Sequence, residues 1–403
     1  MKVDAVIIGA GPAGLTAAIE MIENGLSVAV IDEYYHPGGR LLGQHYEDPK
    51  APPDERIWNG RKLADQLAEK ARSLGVYIFT GVTAWSVSGK WAVALTGGEV
   101  NTVDSKVLLL ATGSVEKALP IPGWTLPGAI SIGAAQTFTN LHHVAVGKRM
   151  MIAGVDALSL SVMIEMKNAG INVVGMALPP LSPVTGGGYS PADTVASLTD
   201  VAGLAPNSFV RTFGKIALAR FPRLIARAMR FNFLKMNGVP IHLRKSIVKI
   251  EGEQQVEAVM LQSVSVDGKP VGEMERVEVD AICLAAGLYP LVDLAETVGC
   301  PLIDIPELGG TVPLHGPDMS TQVNGLFVAG NITGIEGAKV AIAQGQLAAI
   351  SILNSLGKSG SMTVNEAIKK VENAREKAPI HFLPEIGEGR EKMNAIWEKE
   401  GIL

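Results

Sequence analysis

The chain has 403 residues, 47% of them hydrophobic, 45 glycines, 2 cysteines and a formal net charge of −5. At about 100–200 residues per domain this suggests two or three domains with ample material for a core, and the mild acidity lacks the clustered positive charge that nucleic acid requires. Cys283 and Cys300 lie 17 positions apart, too few and too far for a disulfide framework, a C-x-x-C pair, a zinc site or an all-cysteine iron–sulfur cluster.

The first apolar stretch follows Lys2 and superficially resembles a secretory signal. Gly9-Ala10-Gly11-Pro12-Ala13-Gly14 breaks it, and an amphipathic helix and a second strand follow, so no leader is expected. Residues 3–8 read as a buried parallel strand, 15–23 as a helix stopped at Asn24-Gly25, and 26–31 as a strand ending at Asp32-Glu33. The spacing has a chemical reason. Gly9 permits a tight turn, Gly11 lets the backbone approach a diphosphate, and Gly14 lets helix and strand pack closely. Pro12 and Ala13 stand in the turn before the helix, whose N-terminus supplies free N–H groups and a partial positive charge for the diphosphate. Asp32, 23 residues after Gly9 and beside Glu33, can accept from an adenosine ribose.

Pro37-Gly38-Gly39-Arg40 then offers a loop to fold over the diphosphate, and residues 107–110 form a strand ending in Ala111-Thr112-Gly113. A second turn, Gly154-Val155-Asp156-Ala157-Leu158-Ser159, follows a strand at 148–153 and leads into a helix ending near Ala169-Gly170. Asp156 and Ser159 replace its second and third glycines. A carboxylate close to a bound diphosphate costs about 4 kcal/mol per like-charge pair at ~4 Å and an effective dielectric near 20, about three decades of affinity. The offset that reached Asp32 here lands on Ala177, neither an acid for a ribose nor an arginine for a 2′-phosphate. This second cradle is expected to be folded without binding NAD(P), an unusual occupant such as ATP remaining open.

Residues 182–193, with Gly186-Gly187-Gly188, read as a loop. Residues 201–250 contain ten basic residues and no Asp or Glu. A helix over 216–234 would place Arg220, Arg223, Arg227 and Arg230 on one broad face, suited to a partner's acidic patch, peripheral contact of the 211–245 segment with anionic lipid, or plain solvation. Residues 280–284 form a strand ending in Ala285-Ala286-Gly287. A late strand runs into Gly330-Asn331, and Glu336-Gly337-Ala338 opens a small-residue helix through Ala349. Beyond Leu356 a Gly/Ser linker precedes short charged helices at 364–376 and 390–399. The seven histidines lack metal-ligand spacing, no catalytic side chain or metal site is assigned, and no Gly-x-Ser-x-Gly motif is present.

Over about residues 1–355 this set of segments resembles the two-dinucleotide-domain flavoprotein superfamily that includes glutathione-reductase-like enzymes. A narrower stretch, Ala111 to Glu116 through Pro120-Ile121-Pro122-Gly123-Trp124 to Gly133-Ala134-Ala135-Gln136, resembles the alpha or A subunits of heteromeric sarcosine oxidases, opine oxidases, hydroxyproline dehydrogenases and hydrogen cyanide synthase. The resemblance implies FAD at the first site. Gly9, Gly11, Gly14 and Asp32 would form its fingerprint, Gly39 and Arg40 its diphosphate loop, and Thr112 and Gly113 a strand end beside it. Gly330 and Asn331 stand where the superfamily usually has Gly-Asp. Gly337 and Ala338 would aim a helix N-terminus at the flavin's pyrimidine edge, favouring negative charge there on reduction.

The resemblance also implies an assembly that dehydrogenates a C–N bond of amino acids or secondary amines, with the substrate-oxidising flavin on a partner. Several relatives carry a cysteine-rich iron–sulfur module. This chain has no such module, which points to a separate small iron–sulfur protein or direct flavin-to-flavin transfer. The expected fold is α/β, two three-layer nucleotide-binding domains of glutathione-reductase-like type: a discontinuous FAD domain at 1–120 and 285–357, a degenerate NAD(P)-type domain at 121–284, and a helical tail at 358–403. The expected function is an FAD-binding subunit of a cytoplasmic hetero-oligomeric amine dehydrogenase. The alternatives are a self-contained NAD(P)H-dependent flavin reductase and an assembly subunit with structural FAD.

Overall fold

The computed structural model describes residues 1–47, 56–181, 190–198, 220, 222–228, 234–378 and 382–400. The chain divides into two compact units. Met1–Leu42, Asn59–Val115 and Leu288–Leu403 make the first; Gly43–Trp58 and Glu116–Gly287 make the second.

Five parallel strands form the sheet of the first unit, in the order Leu326–Val328, Val107–Leu110, Ala5–Ile8, Val28–Asp32, Tyr77–Thr80. The three central strands are apolar along nearly their whole length because both faces are covered. On one face Ile7, Val28 and Leu109 meet Leu15 and Met21 of the helix Pro12–Glu23 and Leu347 and Leu353 of the helix Ala338–Ser355. On the other, Val6, Ile8, Leu108 and Leu110 pack with Val93 of an antiparallel sheet built from Thr83–Ser88, Ala92–Thr96 and Thr102–Asp104, and with Trp91 in the turn that leads into it. That is a three-layer arrangement.

Close approach of the two long helices depends on small residues: a Cβ at Gly345 would lie 2.1 Å from the Ala13 carbonyl oxygen. The described residues of segment 358–403, set apart by sequence as a tail, are packed into this unit. Thr363 and Glu366 form a capping box for the helix Val364–Glu376, which contributes Ala367 and Val371 to the first core. The helix Ile386–Glu400 begins four residues earlier than its sequence pattern indicated, and its Met393 joins Leu308, Val312 and Leu314.

In the second unit, Ala129–Ser131, Ala281–Leu284, Arg149–Ala153, Asn172–Leu178 and Val239–Glu251 run parallel, and Ala258–Val264 and Pro270–Glu278 extend the sheet antiparallel. The helices Ile132–Asn140 and Ala157–Asn168 cover one face with Leu160, Met163 and Met166 over Met150 and Ile152. The segment carrying Gly123 and Gly128 lies against the sheet. Gly123 has φ +91° and leaves no room for a Cβ, which would sit 2.2 Å from the Ile250 oxygen.

Two sequence expectations change here. Within the stretch read as a loop, Ser190 caps a helix at Pro191–Ser197, while residues 182–189 lie outside the described residues. Of the basic helix, Pro222–Ala228 is described, and Leu224, one of the apolar positions in the helical pattern of 216–234, is 61% exposed. Arg211, Lys215 and Arg230 lie outside the described residues. Among the described residues no helix is long and apolar enough to cross a membrane.

Candidate dinucleotide site

The first cradle is built from one turn that cannot hold side chains and one helix end that nothing caps. Gly9 has φ +109°, and a Cβ there would lie 2.2 Å from the Ala111 oxygen; at Gly14 it would lie 1.9 Å from the Gly9 oxygen. Strand, turn and helix therefore touch backbone to backbone. At Gly11 a Cβ would meet nothing within 4 Å. Gly11 is the N-cap of the helix, Pro12 occupies its first turn, and no side chain caps its N–H groups. Space and unclaimed donors coincide, which is what a diphosphate needs.

Asp32 has a more local task than a ribose contact alone. Its Oδ2 accepts from Ala10 N at 2.6 Å and its Oδ1 from Tyr34 N at 2.9 Å, so it ties the glycine turn to its own strand end. Burial pushes its pKa up, against the pull of those two N–H groups. Glu33 beside it is exposed. Gly38 N donates to Ala10 O at 2.7 Å, and a Cβ at Gly39 would approach Gly11 Cα at 3.1 Å. The Gly38-Gly39 loop is thus seated on the turn, and Arg40 follows in the 3-10 helix Gly39–Gly43.

The late elements converge on the same helix. Ala111 N donates to Ile8 O at 2.8 Å, Thr112 Oγ1 donates to Leu291 O at 2.7 Å, and Gly113 has φ +75°. Gly330, at φ +80°, brings its backbone to the first turn, where a Cβ would lie 3.1 Å from Ala13 Cβ. Asn331 spans the following loop: Oδ1 accepts from Glu336 N at 3.2 Å, and Nδ2 donates to Ser114 Oγ at 3.4 Å. Gly337 caps the helix Ala338–Ser355 without a side-chain hydrogen bond, again with open space where a Cβ would stand. Two helix N-termini are therefore free to face a ligand, and the residues present fit FAD.

Sequence reasoning missed a buried charge cluster behind this loop. Arg375 donates to Glu336 through Nε at 2.7 Å and Nη2 at 3.2 Å, and Arg390 Nη2 donates to the same carboxylate. Arg390 Nη1 also donates to Thr333 O at 2.8 Å. Gln344 closes the network, its Oε1 accepting from Gly330 N at 2.9 Å and its Nε2 donating to Glu336. Burial alone would raise the Glu336 carboxyl; the Arg390 and Arg375 guanidiniums outweigh it and hold it low. Burial lowers Arg390 to about 10, still cationic at neutral pH. Nearby, His315 donates from Nδ1 to Gly316 O at 2.9 Å, and burial, then the Arg390 charge, lowers it to about 3, so it is neutral. The charges of residues 375 and 390 were visible in sequence, but nothing local tied them to Glu336.

The second cradle differs at its helix start. Asp156 is the N-cap of Ala157–Asn168, and its Oδ1 accepts from Ser159 N at 2.7 Å and Ser159 Oγ at 2.9 Å. By exposed area the residue is half-buried, yet its carboxyl is set deeply enough that burial raises its pKa, with a further rise from the Glu116 charge. Glu116 Oε1 accepts from Gly133 N at 2.6 Å. Gly154 keeps the tight turn, at φ +139° with a Cβ position 2.7 Å from Ala285 Cβ. Ala177 is fully buried in its strand.

Both cysteines are buried and unpaired, and burial raises both thiols, Cys300 to about 11. Neither is a thiolate at neutral pH. Among the described residues no group of three or more His, Cys, Asp or Glu could hold a metal ion.

A three-layer unit with a glycine-turn cradle, a second turn facing it from a late strand and two uncapped helix starts defines a dinucleotide-binding flavoprotein. The chain belongs to the pyridine nucleotide-disulphide oxidoreductase family, whose model matches residues 3–345, and it is a flavin-dependent oxidoreductase. It is 27% identical to the A subunit of opine oxidase from Agrobacterium tumefaciens over 91% of this chain and 68% of that protein. It is 25% identical to hydrogen cyanide synthase subunit HcnB of Pseudomonas protegens over 89% of this chain and 71% of that one. Among solved structures, L-proline dehydrogenase from P. horikoshii matches with a TM-score of 0.65 at 19% identity, covering 93% of this chain and 59% of that one. That last likeness shows the fold alone.

Proposed function

We propose that this chain is the FAD-binding subunit of a heteromeric dehydrogenase or oxidase acting on amino acids or secondary amines, passing electrons through its flavin to or from a partner. The contrast between the two cradles carries this reading. The first leaves its helix donors free for a diphosphate; the second has its own Asp156 carboxylate on them. The second cradle fits a pyridine dinucleotide poorly, since the Asp156 carboxylate sits on the helix donors a diphosphate would use, with the Glu116 charge acting on it, and Ala177, at the offset of Asp32, supplies no acid for a ribose. With no thiolate pair either, a partner protein is the electron route this reading favours. The relatives named as subunits, of opine oxidase and of hydrogen cyanide synthase, support a hetero-oligomer.

Bound FAD would supply the electron-accepting and electron-donating chemistry. The chain's own groups bind and orient it. The Gly9–Gly14 turn and the Pro12 helix start would receive the diphosphate, Asp32 holds that turn in shape, and the Gly337-Ala338 helix start would face the far end of the cofactor.

The partner in this reading is a substrate-oxidising flavoprotein, reached either through a small iron–sulfur protein or by direct flavin-to-flavin transfer, in the cytoplasm, where two unpaired cysteines are at home. The basic segment supports docking less than its composition suggests. Arg223 lies 3.6 Å from Asp267, Lys245 pairs with Glu275, and Arg244 donates to Val264 O at 2.9 Å. Purification with native partners, flavin identification and reduction assays test the reading. Bleaching of the flavin by an amine only when the partner is present is the expected result. Rapid bleaching of the isolated chain by NADH would replace it with a self-contained flavin reductase.

A further inference from the structure

A cleft of about 300 Å³ opens in the first unit beside the buried charge cluster. Ile335, Val340, Phe382, Pro384 and Ile386 give it apolar walls, while Glu336, Arg375 and Arg390 form its polar side. Glu336 is shared there by two guanidiniums, which leaves each arginine with N–H groups that this one carboxylate does not use. Arg375 spends Nε and Nη2 on Glu336; its Nη1 has no protein partner among the described residues, and its side chain is 28% exposed. Arg390 is nearly buried, and its Nε is also without a partner. A planar guanidinium edge above an apolar wall is matched by a carboxylate on an apolar body. Glu376 lies on the lining as well, which admits an amine on the same ligand and disfavours a second acid group.

We propose that this cleft binds a small monocarboxylate with a branched apolar body, its carboxylate on Arg375 and its hydrocarbon among Val340, Phe382 and Ile386. The site goes beyond the electron-transfer role above and is independent of any partner. Gly337 belongs both to the cleft wall and to the turn that would face the flavin, so ligand and cofactor would be neighbours.

The flavin-loaded chain, titrated calorimetrically with isovalerate, L-leucine and L-leucinamide, tests this. Isovalerate and leucine should bind with Kd on the order of 1 mM or tighter, and leucinamide about 10-fold more weakly. Arg375→Gln should weaken isovalerate by about 10-fold, as loss of a charged hydrogen bond does. Gly387→Leu provides a control that does not touch the charges. A Cβ at Gly387 meets nothing within 4 Å, so leucine there fills the cleft while improving a helix. It should abolish binding with flavin content and Tm retained. No heat with either carboxylate, equal binding of leucinamide, binding undiminished by Gly387→Leu, or binding seen only after flavin is removed would each overturn the assignment.

Discussion

The two glycine turns of this chain have the same strand–turn–helix plan and opposite occupancy by protein. At the first, Gly11 leaves open space before a helix with no side-chain cap. At the second, Asp156 stands at the corresponding helix start and accepts from the Ser159 N–H at 2.7 Å. Both helix ends have the same unmet need, donors without acceptors. One is left for a ligand, and the other is met internally. An N-cap carboxylate thus has two consequences at once: it stabilises its helix, and it puts a negative charge where a diphosphate would go.

The late half of the first cradle is where that comparison can be broken most severely. Its loop is held from behind by Glu336 between Arg375 and Arg390, all three largely buried. Glu336→Gln leaves two guanidiniums without their counter-charge. Unfolding in urea should show a loss of about 3–5 kcal/mol, the usual cost of breaking a buried pair from one side. Adding Arg390→Met should recover part of it, because the charge left stranded is removed. If the single variant is as stable as the parent, the cluster is not what braces the Gly330-to-Gly337 loop.

Exchanging the helix-start residue tests the comparison most directly. Gly11→Asp gives the first cradle the charge of the second without crowding, since the space there is open. Flavin affinity should fall by about 4 kcal/mol, or three decades. Absorbance of the purified protein near the flavin bands would read this as near-complete loss of cofactor, with the secondary structure intact by circular dichroism.

The second unit keeps a further buried acid for internal use. Glu165 accepts from Gln136 Nε2 at 3.0 Å, from Ser161 Oγ at 3.3 Å and from Asn140 Nδ2, and Asn140 also donates to Gly43 O at 2.7 Å. Burial, opposed by those donors, raises Glu165 to about 7 from 4.5. A raised folded-state pKa means that its stability contribution is full below pH 4.5 and is lost as pH climbs toward 7. The loss amounts to about 3 kcal/mol at ~1.4 kcal/mol per pH unit. Urea midpoints between pH 5 and pH 8 should show that decline in the parent and a flatter profile in Glu165→Gln.

How far these features were legible in sequence follows from how local they are. The glycine turns, Asp32 and the interloping Asp156 all act within a few residues of one strand end, so spacing alone revealed them. The charge cluster joins Glu336 to residues 39 and 54 positions later, a separation no periodicity records. Residues 43–58 gave no sequence sign that they belong with the second unit. Leu224 shows the reverse limit: its helical spacing is plain, but burial is decided by what packs against a helix, and this side chain is 61% exposed.

The smallest expected effect separates the two roles of Asp156. As a cap, its removal should cost about 1 kcal/mol in Asp156→Ala, and only a few tenths in Asp156→Gly, because glycine is tolerated at the N-cap. The release of a carboxyl whose ionisation burial opposes reduces both costs as pH rises. As a gatekeeper, its removal by Asp156→Gly should admit the diphosphate half of ADP-ribose weakly, while Ala177 still offers the ribose nothing. Binding of ADP-ribose by Asp156→Gly and not by the parent, measured calorimetrically, would show that this one carboxylate separates the cradles. Equal failure of both proteins would move the cause to Glu116, whose charge already bears on Asp156.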